Sequence, residues 1–333
     1  PINSNHNMNL FIMSFVSLGV GAYLYGKYRE KEELKLEFTS ENDIIRKAFI
    51  NETQLNKATK PILWIHIPYS KNARIWDDFY SRSTDNLNLP FMYLTIKSII
   101  DQNASDFHVC LIDDDSFNKL IPKWSVDMEQ IEYTAKNKYR TLGMLKLVEH
   151  YGGLVVPSSF VCMKSLKPLA SSVSMSGAPF FFETYAKYQN NSSEITNEKT
   201  PMLQFFGAPK NDEVFRKVAY MMETMILDDD TDEMNMTEQF QNYVKSLVRT
   251  KEVYLFDGKY IGQKNDKMEP IMMEDLLNES TDCSIHEEYY GIHIPFEAIM
   301  LRHKYMWFTS ETIGGILSGN YLLADYMKVA FNF

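Results

Sequence analysis

The sequence predicts an α/β domain built on a mixed, mostly parallel sheet with flanking helices. Three observations carry that expectation. Residues 61–67 (PILWIHI) and 107–112 (FHVCLI) are continuous apolar runs of strand length, the mark of strands buried on both faces. Between them, residues 90–102 repeat apolar side chains at helical spacing, at Met92, Ile96, Ile99 and Ile100, and Pro90 opens the run at a first-turn position. Strand, helix and strand in this order make a βαβ unit, whose strands run parallel. Finally, residues 139–156 pass from an apolar helix face (Leu142, Leu145, Val148) through Gly152-Gly153 into Leu154-Val155-Val156. The glycine pair is a helix C-cap signal, because glycine reaches the left-handed conformation without a Cβ clash.

The other elements follow in order. Residues 10–25 (LFIMSFVSLGVGAYLY) carry no charge, and Lys27, Arg29, Lys31 and Lys35 follow them. At this length a core helix and a signal peptide compete with a membrane anchor. The basic residues lie only on the C-terminal flank, which favours an anchor in residues 1–26 with the remaining chain in the cytoplasm. Residues 27–60 read as a charged helical stalk and residues 61–333 as the main domain. Residues 69–89 read as a polar loop. Residues 200–225 read as a strand ending in a small-residue turn, then a helix opened by Asn211 or Asp212. Residues 253–256 read as a short strand, Asp257-Gly258 as a turn, and 274–277 as a short helix. Residues 309–333 read as a closing amphipathic helix pair, with Gly314-Gly315 between or before its members.

Composition narrows the function. The formal net charge of -10 argues against a general nucleic-acid-binding surface, which is normally basic. The three cysteines, Cys110, Cys162 and Cys283, lie in or near apolar runs and read as reduced thiols. The chain holds no G-x-S-x-G, Walker, G-x-G-x-x-G, C-x-x-C or H-E-x-x-H motif. In open α/β sheets ligands bind beyond the carboxyl ends of the strands. A nucleotide site would therefore draw on Ile67, Pro68 and Tyr69 after the first strand and on Asp113 and Asp115 after the second. Asp113-Asp114-Asp115 has three readings: a turn capping the helix that starts near Ser116, a sugar-nucleotide contact, or a hard-cation site. The acid run of residues 228–233 reads as a solvated loop.

Residues 139–169 resemble the helix–Gly-Gly–strand core of glycosyltransferase family thirty-two and the related capsular-polysaccharide-synthesis proteins. Tyr151-Gly152-Gly153, Cys162 and Lys167-Pro168-Leu169 match that pattern. The resemblance implies a GT-A-like (Rossmann-like) fold and a sugar-nucleotide donor held through manganese (Mn) or magnesium (Mg). The chemistry departs from the pattern. Pro157-Ser158-Ser159 occupies the position of the metal-binding D-x-D, and Thr141 and Met144 occupy those of an upstream Asp and Arg. His303, with Trp307 after it, loosely fits a C-terminal metal ligand and equally fits a packed histidine. Without carboxylates, Arg74, Arg82, Lys138 or Arg140 would have to face the diphosphate, while Gln204 and Lys210 are the polar residues of an acceptor region.

The expectation is thus a membrane-anchored, glycosyltransferase-like protein without metal or cofactor that has lost catalysis and acts as a structural component. The alternative is a divergent active transferase using a sugar nucleotide. The Asn-, Lys- and Ile-rich composition resembles proteins of large DNA viruses, which implies capsid-like assembly partners and a place in a virus particle. The Asn-x-Ser/Thr sites at Asn51, Asn103, Asn190 and Asn278 would stay unmodified in a cytoplasmic domain.

Overall fold

The computed structural model describes residues 60–67, 90–132, 135–184, 199–228, 233–278, 287–295, 299 and 302–331. The chain divides into two compact units, residues 1–47 and 48–333, and every described residue belongs to the second. The expected anchor and stalk lie outside the described residues, apart from Lys60. Among the described residues no helix is long and apolar enough to cross a membrane.

The elements in order are β1 (Ile62–His66), α1 (Phe91–Asn103), β2 (His108–Ile112), α2 (Ser116–Leu120), α3 (Lys136–Tyr151), β3 (Gly153–Val155), β4 (Phe160–Cys162) and α4 (Lys167–Ser176). Then come β5 (Phe180–Thr184), β6 (Thr200–Ala208), α5 (Glu213–Leu227), α6 (Glu233–Arg249), β7 (Tyr254–Phe256), α7 (Met273–Leu277), β8 (Gly291–His293), α8 (Met306–Ser310), α9 (Ile313–Leu317) and α10 (Leu322–Ala330). Six strands form one mixed sheet in the order β2-β1-β3-β6-β5-β7, and β4 pairs with β8 in a second. β1 runs parallel to β2 and β3, and β5 runs parallel to β7. Only β6 is reversed, antiparallel to both β3 and β5. The α/β class and the mostly parallel sheet agree with the sequence reading.

The glycine turn is fixed by sterics. Gly152 has φ +74° and Gly153 φ +107°, and a Cβ on Gly153 would lie 2.3 Å from the Ile62 carbonyl oxygen. Only glycine lets β3 approach β1 this closely. The Trp64 indole, fully buried, donates to the Gly152 carbonyl at 3.0 Å and ties β1 to the turn. Leu142, Leu145, Leu147 and Val148 of α3 pack with Phe215, Val218 and Met222 of α5 and Phe240 and Val244 of α6 in one core cluster. Asp212 opens α5, its carboxylate accepting from the Phe215 amide at 2.7 Å, one of the two caps expected there.

α1 carries an unusual buried stripe. Thr95, Ser98 and Asn103 are completely buried. They bond the backbone of residues 158–166: Thr95 Oγ1 donates to the Ser158 carbonyl, Ser98 Oγ accepts from the Cys162 amide, and Asn103 Oδ1 accepts from the Leu166 amide. The polar side chains of a helix thus do for this segment what a neighbouring strand would do. The Asn103 glycosylation sequon is consumed in that packing.

Three parts of the sequence reading change. β4, β5 and β8 were not anticipated. α3 begins at Lys136, ahead of residue 139. Residues 309–333 hold the end of α8 and the expected pair, α9 and α10, but Gly314 and Gly315 lie within α9 rather than between or before its members.

Candidate functional site

Because only β6 is reversed, β1, β2, β3, β5 and β7 end on the same edge of the sheet. That edge gathers His66 and Ile67, residues 113–115, residues 156–159, Glu183 and Asp257. It is where an α/β sheet binds ligands.

On the β1–β2 side a closed network sits at the strand ends. Asp114 Oδ1 lies 2.9 Å from His66 Nε2 and accepts from Arg140 Nε at 2.9 Å, while Oδ2 accepts from Arg140 Nη2 at 2.7 Å. The His66, Asp114 and Arg140 side chains are 13%, 20% and 16% exposed, so all three groups are largely removed from water. Burial pushes the Asp114 pKa up, but the hydrogen bonds from His66 and Arg140 outweigh it and hold the carboxyl well below the usual carboxylate range. The His66 ring stacks on Phe117 with centroids 5.5 Å apart and planes within 1°. The network joins the ends of β1 and β2 to the first turns of α3.

The sequence-predicted residues divide around it. Arg140 lies in the network, bonded to Asp114 in the two-pronged geometry that satisfies a guanidinium. Asp113 faces its own turn: Oδ1 accepts from the Ser116 amide at 2.9 Å and hydroxyl at 2.6 Å. Asp115 is exposed. Ile67 is buried, its amide donating to the Ile112 carbonyl at 2.8 Å. Pro68, Tyr69, Arg74 and Arg82 lie outside the described residues. Gln204 and Lys210 are exposed. His303 is exposed in a short 3-10 turn, and Trp307 packs edge-on against Tyr321 and Phe308. Among the described residues no three His, Cys, Asp or Glu side chains converge as metal ligands.

The loop after β3 is bound into the fold. Ser158 is 7% exposed and Ser159 1%. The Val156 amide donates to Trp64, the Phe160 amide to Pro157, and the Ser159 carbonyl accepts from Ile294 at 3.0 Å. With Thr95 on the Ser158 carbonyl, the loop's backbone is spoken for on both sides.

On the β5–β7 side lies a cluster that the sequence reading missed. Lys264 Nζ donates to both oxygens of Glu183 at 2.8 Å and lies 3.3 Å from Asp257 Oδ1. The Lys264 and Glu183 side chains are almost fully buried. Burial works against the Asp257 carboxylate, but the Lys259 amide and the Lys264 ammonium outweigh it and hold its pKa below the ordinary value. His66 was missed as well, and Asp114 was named only within the Asp113–Asp115 triplet. A histidine ending the first strand was the available signal; the Glu183–Lys264 pair, 81 residues apart, gave none.

Cys110 and Cys162 are buried free thiols. Burial pushes the Cys162 thiol up to about 12, only partly offset by the Asn103 hydrogen bond. Neither offers a thiolate nucleophile at neutral pH.

No family model matches this chain, and no curated protein matches it. Among solved structures it is similar to PaToxG glycosyltransferase, with a TM-score of 0.33 and 13% identity over 64% of this chain and 80% of that one.

Proposed function

We propose that this chain is a membrane-tethered, glycosyltransferase-like protein that has lost sugar transfer and acts as a structural component of a larger assembly, as a minor capsid protein of a virus particle does. One observation carries the reading. Where the family thirty-two resemblance calls for two metal-binding carboxylates, the chain has Pro157-Ser158-Ser159, with both serines buried and their carbonyls bonded to Thr95 and Ile294. Cation catalysis of transfer stabilises a leaving diphosphate by several kcal/mol, and this loop has no carboxylate with which to hold the ion. The metal-free route needs unmatched positive charge, and Arg140 is already matched by Asp114. The uncharged residues 10–25 with their basic C-terminal flank support the tether and the cytoplasmic orientation.

Calorimetric titration of the purified protein with manganese and uridine or guanosine diphosphate tests the loss of transfer. The expected result is no saturable metal-dependent site. A saturable site abolished by Asp113→Ala or Asp115→Ala would overturn the reading and restore a working transferase. Removing residues 1–30 should release the domain from membranes, whereas glycosylation at Asn190 in cells would invert the topology. Stoichiometric copies in purified particles, measured by mass spectrometry, support the structural role; trace copies together with sugar transfer by the isolated protein refute it.

A further inference from the structure

The Glu183–Lys264–Asp257 cluster brings an amine and two carboxyl groups into contact out of water. Lys264 Nζ donates to both Glu183 oxygens at 2.8 Å and lies 3.3 Å from Asp257 Oδ1. A donor that bonds both oxygens of a carboxylate lies near its plane. The Lys264 nitrogen therefore meets Glu183 edge-on, where the oxygens can take a proton but the carbon is not open to attack. Glu183 is itself fixed, since Oε2 also accepts from the Gly258 amide at 3.2 Å. Asp257 is held from two further sides. Its Oδ1 accepts from the Lys259 amide at 3.0 Å, and its Oδ2 lies 3.8 Å from Lys199 Nζ, on an exposed side chain. One oxygen is thus polarised by a backbone N–H, and the other faces a cation on the solvent side.

Burial favours a reaction between them. The Lys264 and Glu183 side chains are 6% and 3% exposed. Charges kept from water carry a desolvation cost, and an amide between Lys264 and Asp257 would turn two charges into one neutral group. The water that reverses such a condensation is kept from the amine. Fixed neighbours also replace the encounter of two separate reactants.

We propose that Lys264 and Asp257 join in an isopeptide bond, with Glu183 as the proton carrier. The Lys264 nitrogen passes a proton to Glu183 and adds to Asp257 Cγ. The Nζ–Cγ bond forms, the Cγ–Oδ2 bond breaks, and Oδ2 leaves as water with two protons from the ammonium. Oδ1 stays as the amide oxygen, still accepting from the Lys259 amide, and Glu183 ends as it began. Nothing is oxidised or reduced, and no other reactant enters. The groups around Asp257 hold its carboxyl ionised, and it must gain a proton before Oδ2 can leave, so the bond forms slowly after folding. The product closes residues 257–264 into a ring and ties the 3-10 turn Gly258–Ile261 to the end of β7. The reaction uses nothing of the loop after β3 and holds whether or not sugar transfer is lost.

The test is mass spectrometry of the denatured full-length protein, fresh and after prolonged incubation, with a tryptic map. The expected result is a growing fraction lighter by one water. Its digest should hold residues 252–259 joined to residues 260–267, with no cut after the acylated Lys264. Fragments reading from two N-termini, Glu252 and Tyr260, separate this species from the uncut linear peptide of equal mass. Lys264→Arg keeps the charge without an amine that trypsin-resistant linkage requires, and should stay at full mass. Glu183→Gln should link at least about tenfold more slowly, the loss expected when a positioned proton carrier is removed. Peptides 252–259 and 260–264 in full yield after incubation overturn the proposal. So does water lost within 252–259 alone, the mark of the Gly258 nitrogen closing a ring on Asp257. Linkage at the wild-type rate in Glu183→Gln refutes the proton-carrier role. The wild-type map decides for or against the bond even if neither variant folds.

Discussion

Asp114→Asn removes one charge from a side chain that receives two bonds from Arg140 and lies within hydrogen-bond distance of His66. The shape is kept, so the change isolates charge. Removing one partner of a buried ion pair costs about 3–5 kcal/mol, because the remaining charge is stranded. Here the side chains keep 13–20% exposure and some solvation, and the asparagine oxygen still accepts one bond. These discounts bring the expected loss to about 2 kcal/mol at pH 7. The pH dependence follows from the depressed Asp114 pKa. A group whose folded pKa lies below its unfolded value contributes stability above the unfolded pKa, about 3.9 for Asp, and loses it as pH falls toward the folded pKa. The gap between wild type and Asp114→Asn should therefore be constant from pH 7 to about pH 5 and narrow below about pH 4. Urea unfolding followed by tryptophan fluorescence reads it directly, since Trp64 is buried on the same strand as His66. A loss under about 0.5 kcal/mol at pH 7 would show the network to be no better than a surface pair. A gap unchanged at pH 3 would show that charge is not the cause.

Gly153→Ala should be among the most damaging single-methyl changes in the chain, because φ is +107° and the new Cβ would meet the Ile62 carbonyl at 2.3 Å; a loss of at least about 2 kcal/mol is expected in thermal unfolding. Thr95→Val keeps shape but removes the donor to the Ser158 carbonyl, and should cost about 1–3 kcal/mol by chemical denaturation. Glu183→Gln removes the charge that Lys264 pairs with at 2.8 Å and keeps the Asp257 carboxylate at 3.3 Å; a loss of about 3 kcal/mol or more is expected, and an unfolding midpoint equal to wild type would mean the pair has no net worth.

The parts of the fold that were legible are those where one-dimensional pattern and three-dimensional cause coincide. Residues 61–67 and 107–112 are apolar but for one histidine each because β1 and β2 hold mostly buried residues, and Gly152-Gly153 is double glycine because backbone atoms of Lys210 and Ile62 occupy the space of the two side chains. β4 and β8 escaped notice since three residues carry no periodicity. β5 was readable in Phe180-Phe181-Phe182, a bare apolar run ended by two polar residues. At the site, three consecutive aspartates look alike in sequence, yet each does something different. Asp113 bonds Ser116, the capping turn that was one of the three readings of the triplet. Asp115 is exposed, and Asp114 alone reaches across to His66 and Arg140. Which of three adjacent carboxylates turns inward is decided by backbone geometry that no spacing rule records.

The same geometry bears on the proposed lack of a metal site after β3. Ser159 is 1% exposed, its carbonyl is bonded to Ile294, and Ser158 is anchored by a threonine from the buried stripe of α1. A carboxylate introduced at Ser159 would enter packed protein, where an unpaired charge is strongly penalised and the group protonates instead. A Pro157→Asp, Ser159→Asp variant should therefore lose stability, by about 3 kcal/mol or more, without gaining manganese affinity. Unfolding and metal titration on the same preparation separate the two outcomes. A stable variant that binds manganese would mean that the loop can open to hold a cation, and that its lack of carboxylates, rather than its burial behind Thr95, keeps metal from this position.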